Sequence, residues 1–259
     1  MAYGYEDPDR DGLGLGAKIA IGLGVLVGLP LIAAFAYGIY VTLLMTPEQK
    51  FDRMLEAEPE ARIFIDPLKK HYPEEYEDLR GSVLVALQGT NGELNGRLAS
   101  MGFMNGFVVR HGYEAALAPD ADLKPLLDAQ TNAFAVFAAN PNACESAIRQ
   151  VPLADDKMKK QDKVTLIRFS GQFVKTAAAG RDRPVRRDRA GPEDQTALIE
   201  AMRAEGVSPS DLRDLDPAGG AREEAVRRCG VLHKTLRAVQ KLPPERSVRI
   251  YALLLGSSR

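Results

Sequence analysis

The chain has 259 residues, with 34 lysines and arginines against 35 aspartates and glutamates. This balance argues against a general nucleic-acid-binding protein, which usually carries a basic excess or a basic face, and the apolar content of 45% is typical of a folded chain. Trp is absent and aromatic residues make up only 7%. Few stretches alternate the β-branched and aromatic residues typical of strands, and both observations favour an all-α fold.

The chain opens with a short polar tail, residues 1–18, and then a long apolar run. Residues 19–45 contain no charged side chain over 27 positions, which as a helix covers ~40 Å, more than the ~30 Å hydrocarbon core of a bilayer. We therefore predict a transmembrane anchor over 19–45. A cleaved signal peptide is the main alternative, since residues 34–36 (AFA) resemble a cleavage site. The tail is acidic rather than basic, however, and the run continues past that site. A core helix of a soluble fold is the third interpretation.

Two further predictions concern this anchor. Gly24 and Gly28 have the spacing that lets two membrane helices approach closely, although glycine is also simply common in such helices. Basic residues on either side do not decide the orientation. The two cysteines suit a disulfide in an oxidising compartment, so we expect the domain to lie on the extracytoplasmic, periplasmic side.

Residues 46–180 are predicted to form the first part of a helical domain. Thr46 and Gln49 form a capping box at its start, and Pro59, Pro67 and Pro73 are expected to break the next stretch into short pieces. Helices are predicted over 76–88, 94–108, 123–140 and 163–179. The second of these helices lies in a glycine-rich segment, residues 89–112, which is interpreted as a helix with a small-residue face, with a loop-rich segment as the alternative. A strand over 164–169 is the less favoured alternative to the last helix.

Residues 181–191 (RDRPVRRDRAG) interrupt this pattern and are predicted to be an exposed linker. Such a cluster can contact an anionic partner, such as acidic lipid headgroups, a phosphorylated glycan or an acidic protein face. The alternative is a solvated linker whose charges are partly offset by two aspartates. The candidate contact residues are Arg181, Arg183, Arg186, Arg187 and Arg189.

Residues 192–259 are predicted to form the second part of the helical domain. Helices are expected over 192–205 and 221–242, with a capping box at Ser208 and Asp211 and a short final helix near 248–255. Cys229 falls on the apolar face of the 221–242 helix, so a disulfide with Cys144 would tie the final helices to the middle of the chain. Two free thiols, a zinc pair or a cysteine nucleophile are the alternatives for these residues.

A search for catalytic motifs finds no nucleophile elbow, phosphate-binding loop or paired-histidine metal motif. Residues 12–17 (GLGLGA) only superficially resemble a dinucleotide loop, because no strand precedes them. His71, His111 and His233 lack metal-ligand spacing, and His111 with Glu114 supplies at most two ligands on one helix face. The sequence therefore indicates no metal and no cofactor.

These patterns predict a single-pass membrane protein with an all-α domain at a bacterial cell envelope. We interpret the domain as an interaction or assembly module whose partners are the lipid bilayer and another membrane or envelope protein. The alternative is a membrane-anchored, hydrolase-like enzyme with a site assembled from distant residues. A cleft at His111, Glu114 or His233 with a perturbed carboxylate would favour the enzyme, and an exposed apolar patch would favour the module.

Overall fold

The computed structural model describes residues 45–88, 91–149, 158–188, 190–208, 210–211 and 222–256. Within these ranges the regular elements are helices and no strand is present, which confirms the predicted all-α class. The predicted anchor, residues 19–45, lies outside them except for Met45, as do Gly24 and Gly28. None of the helices in the described ranges combines the length and apolar character that a bilayer span needs.

The helices follow one another with short connections. In chain order they are α1 (Pro47–Ala57), α2 (Arg62–His71), α3 (Pro73–Leu87), α4 (Gly92–Ala116), α5 (Asp120–Ala139), α6 (Pro141–Arg149), α7 (Lys160–Asp182), α8 (Pro192–Ala204), α9 (Arg222–Gln240) and α10 (Pro244–Gly256), with a 3₁₀ turn over Pro59–Ala61. Two compact units are distinguished, and their boundary falls between Asp52 and Arg53, inside α1. The helices from α2 onward all belong to the second unit.

Prolines and capping side chains set many of the helix starts. Proline occupies the first position of α1, α3, α6, α8 and α10, where its missing N–H costs no helical hydrogen bond. The Gln49 N–H donates to Thr46 Oγ1 at 3.3 Å, and the Thr46 N–H donates to Gln49 Oε1 at 3.0 Å. Ser208 and Asp211 exchange the equivalent bonds at 3.2 and 2.8 Å. Both predicted capping boxes are therefore confirmed.

The helix α7 lies at the centre of the second unit, in contact with α2, α4 and α5. Two glycines allow the closest of these contacts. A Cβ at Gly180 would collide with the backbone of Glu114 and Ala118 in and just after α4, and a Cβ at Gly171 would collide with the Ile63 carbonyl of α2. The α7 backbone therefore packs directly against backbone on two sides.

A second group of helices packs around α9, which contacts α5, α6, α8 and α10. Cys229, Leu236 and Val239 are buried on its apolar face, as the predicted periodicity of this helix requires. The helix α8 ends on Gly206, whose φ of +74° suits glycine because it lacks a Cβ. This turn places Val207 in a small core with Met202, Val231 and Ala238.

Several predictions about local structure are corrected by the model. Pro67 does not break the chain but lies buried inside α2. A proline there removes a helical hydrogen bond to the carbonyl of Ile63, which is the carbonyl that Gly171 approaches. The predicted strand alternative over 164–169 is wrong, because these residues belong to α7, whereas the glycine-rich segment is helical in α4 as predicted.

The arginine-rich stretch begins slightly later than predicted, since α7 continues to Asp182. Residues 183–188 and 190–191 then lead to α8. The helices before and after this stretch belong to one compact unit, in which α9 packs on α5 and α10 packs on α4. The connection therefore joins two parts of a shared core.

Candidate functional site

The two cysteines form a disulfide between α6 and α9. Cys144 and Cys229 are separated by 85 residues, their Cα atoms lie 6.1 Å apart, and both side chains are buried. The predicted pairing is confirmed. Because neither sulfur is a free thiol, the zinc-pair and cysteine-nucleophile alternatives are excluded for this state of the protein.

Arg187 holds the turn between α4 and α5. Its guanidinium donates to the carbonyl oxygens of Ala116 at 3.0 Å and Ala118 at 2.5 Å, and it pairs with Asp120. The backbone beside it follows the same turn, since the Val185 N–H donates to the Leu117 carbonyl at 2.7 Å. Carbonyls at a helix C-terminus lack helical donors, so Arg187 acts there as a C-terminal cap from a distant part of the chain.

The other described arginines of the stretch are dispersed. Arg181 lies over the Tyr72 ring at 4.5 Å and donates to the His71 carbonyl at 3.0 Å. Arg183 pairs with Asp122 at 3.3 Å, and the residue Arg186 is exposed. Arg189 lies outside the described residues. Three of the predicted anion-contact arginines thus bind groups of their own chain, and contact with an anionic partner stays a prediction.

A polar network surrounds His111 of α4. Its Nδ1 lies 2.9 Å from Glu114 Oε2, and its Nε2 lies 2.8 Å from Glu75 Oε1 of α3. Tyr72, between α2 and α3, donates its hydroxyl to Glu114 at 2.7 Å, and Arg110 donates two hydrogen bonds to Glu75. The sequence placed His111 and Glu114 on one helix face. Glu75 of α3 and Tyr72, just before it, are distant from them in sequence and were not predicted as their partners.

The charges in this network are mutually compensated. The His111 side chain is only 13% exposed, and each of its ring nitrogens lies within hydrogen-bond distance of a carboxylate. Burial raises the pKa of Tyr72, and the hydrogen bond to Glu114 raises it further, which keeps the phenol a donor. Burial also raises the pKa of Glu75, but the hydrogen bonds from Arg110 and His111 outweigh it and hold that pKa below its usual value.

This pairing has a chemical consequence for the cluster. A general base needs an accessible lone pair and a nucleophile needs an activated oxygen or sulfur. Here the ring nitrogens of His111 are both engaged with carboxylates, and the Tyr72 hydroxyl is kept protonated. The arrangement fastens α3, α4 and the α2–α3 corner to one another, and Arg181 extends it to α7.

A second charged cluster forms around Asp194 in the first turn of α8. Its buried carboxylate accepts hydrogen bonds from Arg246 at 2.9 Å and from Arg249 at 2.8 Å through two nitrogens, and from the Gly191 N–H at 3.1 Å. The hydrogen bond from Arg249 is the largest influence that lowers the pKa of Asp194 to about 2. The sequence predicted the helix start but not these partners, which lie more than fifty residues further on.

The remaining histidines occupy separate places. His71 ends α2, and His233 lies on α9, where burial and Arg237 lower its pKa. Neither is part of the hydrogen-bonded network around His111. Among the residues that the structure describes, no group of three or more His, Cys, Asp or Glu is arranged to hold a metal ion.

One stripe on the solvent side of α4 is uncharged and mainly apolar, where a surface helix is usually charged. We call it the α4 outer face, and it consists of Leu94, Leu98, Met101, Asn105 and Val109. Leu94 and Met101 are each 42% exposed and Val109 is 57% exposed. This face lies opposite the core-facing side of α4, where Phe107 is fully buried. Exposed apolar patches of this kind are typical of interaction sites.

Comparison of the chain with protein-family models, with curated proteins and with solved structures finds no match.

Proposed function

We propose that this chain is a membrane-anchored helical protein whose domain acts as an interaction or assembly module at the extracytoplasmic side of a bacterial envelope. The observation that carries the module is the α4 outer face. The five residues of this face are uncharged, although Leu94, Met101 and Val109 are exposed to solvent. By contrast, the exposed positions of α9 include Arg227, Lys234 and Arg237.

The anchoring part of the proposal rests on residues 19–45, whose uncharged length exceeds what a bilayer span needs. The location of the domain is supported by the disulfide between Cys144 and Cys229, because such bonds persist in oxidising compartments and are rare in the cytosol. The disulfide therefore supports an extracytoplasmic domain, and the uncharged run supports its attachment to the membrane.

The contacts around His111 weigh against the hydrolase-like alternative. His111 and Glu114 do meet a carboxylate with a shifted pKa, as the enzyme hypothesis required, but that carboxylate, Glu75, is held by Arg110 and His111 together. The groups in this cluster hydrogen-bond to one another. An interaction module therefore accounts better than a hydrolase for the paired charges around His111 and for the uncharged α4 outer face.

Two measurements on native membranes test the proposal. After acid quenching, a mass-tagged maleimide should label Cys144 and Cys229 only once the protein has been denatured and reduced. Carbonate extraction should leave the full-length chain in the membrane fraction. Labelling without reduction, or release of the chain by carbonate, would contradict the proposed location or the anchor.

A photo-reactive amino acid tests the module itself. Placed at Met101 of the α4 outer face, it should form a protein adduct on illumination. Placed at Val85, which is 69% exposed on α3 and off this face, it should not. An equal adduct yield at the two positions, or none at Met101, would argue against α4 as the interaction surface.

A further inference from the structure

The residues of the α4 outer face repeat with the spacing of a coiled-coil seam. Leu94, Leu98, Met101 and Asn105 follow one another at intervals of four, three and four residues, which keeps them on one side of a helix that packs against another helix. In heptad terms Leu94 and Met101 take d positions, and Leu98 and Asn105 take a positions. Leucine at d is typical of two-stranded coiled coils.

Asn105 gives this seam a preferred partner. It is exposed in the middle of an otherwise apolar stripe, where it would be an unfavourable residue against a purely apolar surface. In a parallel pair of identical helices, however, an asparagine at a faces the same asparagine of the partner, and the two amides hydrogen-bond to each other. Such a pair sets register and a two-stranded state at some cost in stability.

The described helices around α4 leave room for this contact. The helix α4 is covered by α3, α7 and α10, yet Leu94, Met101 and Val109 stay exposed. A Cβ at Gly102, beside the stripe, would meet nothing within 4 Å. Among the described elements, none would be displaced by a second helix that approaches α4 from this side.

We propose that the occupant of the α4 outer face is the same face of a second copy of this chain, in parallel, with Asn105 paired to Asn105. The inference rests on the proposed module function and names its partner. The stripe covers ~22 Å of helix, about two heptads, whereas independent coiled coils usually need about three to four. Self-association is therefore weak between free molecules and is strengthened where both chains are tethered to one membrane.

The test is cysteine cross-linking of the full chain, in membranes and as purified protein at high concentration. N105C and L94C are each added to the chain with its native disulfide, and V85C is the control. Under mild oxidation we expect N105C and L94C to give a disulfide-linked dimer in membranes at least tenfold above V85C. Labelling by maleimide establishes that the three new thiols are equally accessible.

A second variant tests whether the dimer forms through the α4 outer face. M101E in the N105C background places a carboxylate in the contact and should reduce cross-linking to the V85C level, while V85E should leave it unchanged. Cross-linking of N105C that does not exceed V85C, or that survives M101E, overturns the inference. Cross-linking of N105C without L94C overturns the parallel arrangement.

The outcomes separate this inference from the proposed function. A photo-adduct at Met101 with a different protein, together with no N105C dimer, refutes the second copy as partner and leaves the module in place. Loss of both the adduct and the dimer refutes both. If the chain is absent from membranes but the purified N105C protein still cross-links, the anchor fails while the self-association stands.

Discussion

Asp194 fixes the start of α8 to two arginines of α10. Because its pKa is lowered from 3.8 to about 2 in the folded chain, its contribution to stability is present above the unfolded value of 3.8 and is lost as the pH falls through about 2. Acid should therefore remove this contribution within the range between those two values, well below neutral pH.

We expect D194N to lower Tm at pH 7 by about 5 to 10 °C, because the neutral amide removes the carboxylate that the guanidinium groups of Arg246 and Arg249 share. The difference from wild type should shrink as the pH approaches 2. E193Q alters the exposed neighbouring carboxylate and is the matched control. Thermal unfolding at pH 7, 4 and 2.5 checks this, and a D194N deficit that is constant with pH would contradict it.

His111 is the second residue whose replacement is informative. H111Q replaces two ring nitrogens, which lie against different carboxylates, by a single amide nitrogen, so Glu75 or Glu114 loses a partner in a half-buried site. We expect a decrease of ~2 kcal/mol in the free energy of unfolding, measured by urea denaturation. H71Q, outside this network, should change stability by much less. Equal effects of the two variants would mean that the His111 contacts contribute little.

At the scale of elements, α7 depends on close backbone approach. A Cβ at Gly180 would overlap the carbonyl oxygen of Glu114, so G180A must push α7 and α4 apart. We expect a loss of ~3 kcal/mol or more, as for overpacked cores. G81A, whose Cβ would meet nothing within 4 Å, should be stabilising by ~0.5 to 1 kcal/mol, because alanine favours a helix.

Urea unfolding of the two glycine variants provides the measurement. The paired design separates helix propensity, which both substitutions improve, from packing, which only G180A disturbs. If G180A were as stable as G81A, the α4–α7 contact would have to be looser than the structure indicates.

The sequence predicted elements better than it predicted their contacts. Local signals carried the helices: the capping boxes at Thr46 and Ser208 and the apolar spacing of Cys229, Leu236 and Val239 all depend on residues near one another in the chain. Pro67 was misjudged because the neighbouring sequence does not show that it is buried inside α2, where Gly171 of α7 lies close to the Ile63 carbonyl. The glycines 171 and 180 gave no local sign of their role, since glycine in a helix is equally compatible with a free surface.

In the candidate sites, too, the sequence predicted residues that are close together in the chain but not their distant partners. Spacing alone placed His111 and Glu114 together, but Tyr72 and Glu75 lie more than thirty residues away. The arginine stretch was recognised by composition. Composition could not reveal that Arg187 binds the α4–α5 turn, because its acceptors there include backbone carbonyl oxygens, which every residue has.

For the whole molecule, the disulfide ties α6 to α9 within the group of helices that packs around α9, and its removal tests how far that group depends on the covalent link. A cross-link between residues 85 apart lowers the conformational entropy of the unfolded chain. In the chain-entropy model this stabilises the folded state by ~4 to 5 kcal/mol. We expect the double variant C144S/C229S to lose stability of this order, with unchanged helix content by circular dichroism. Denaturant unfolding of wild type with and without reductant checks it, and identical midpoints would contradict it.

The same bond also imposes an order of events on synthesis. At roughly 5 to 20 residues per second, Cys229 is made about 4 to 17 s after Cys144, given their separation of 85 residues. During that interval the first thiol has no partner within its own chain. Since the chain has only two cysteines, mispairing within one molecule is impossible. An incorrect disulfide therefore requires a thiol of another molecule, such as a neighbouring nascent chain, and crowding at the site of synthesis should lower the yield of correctly bridged protein.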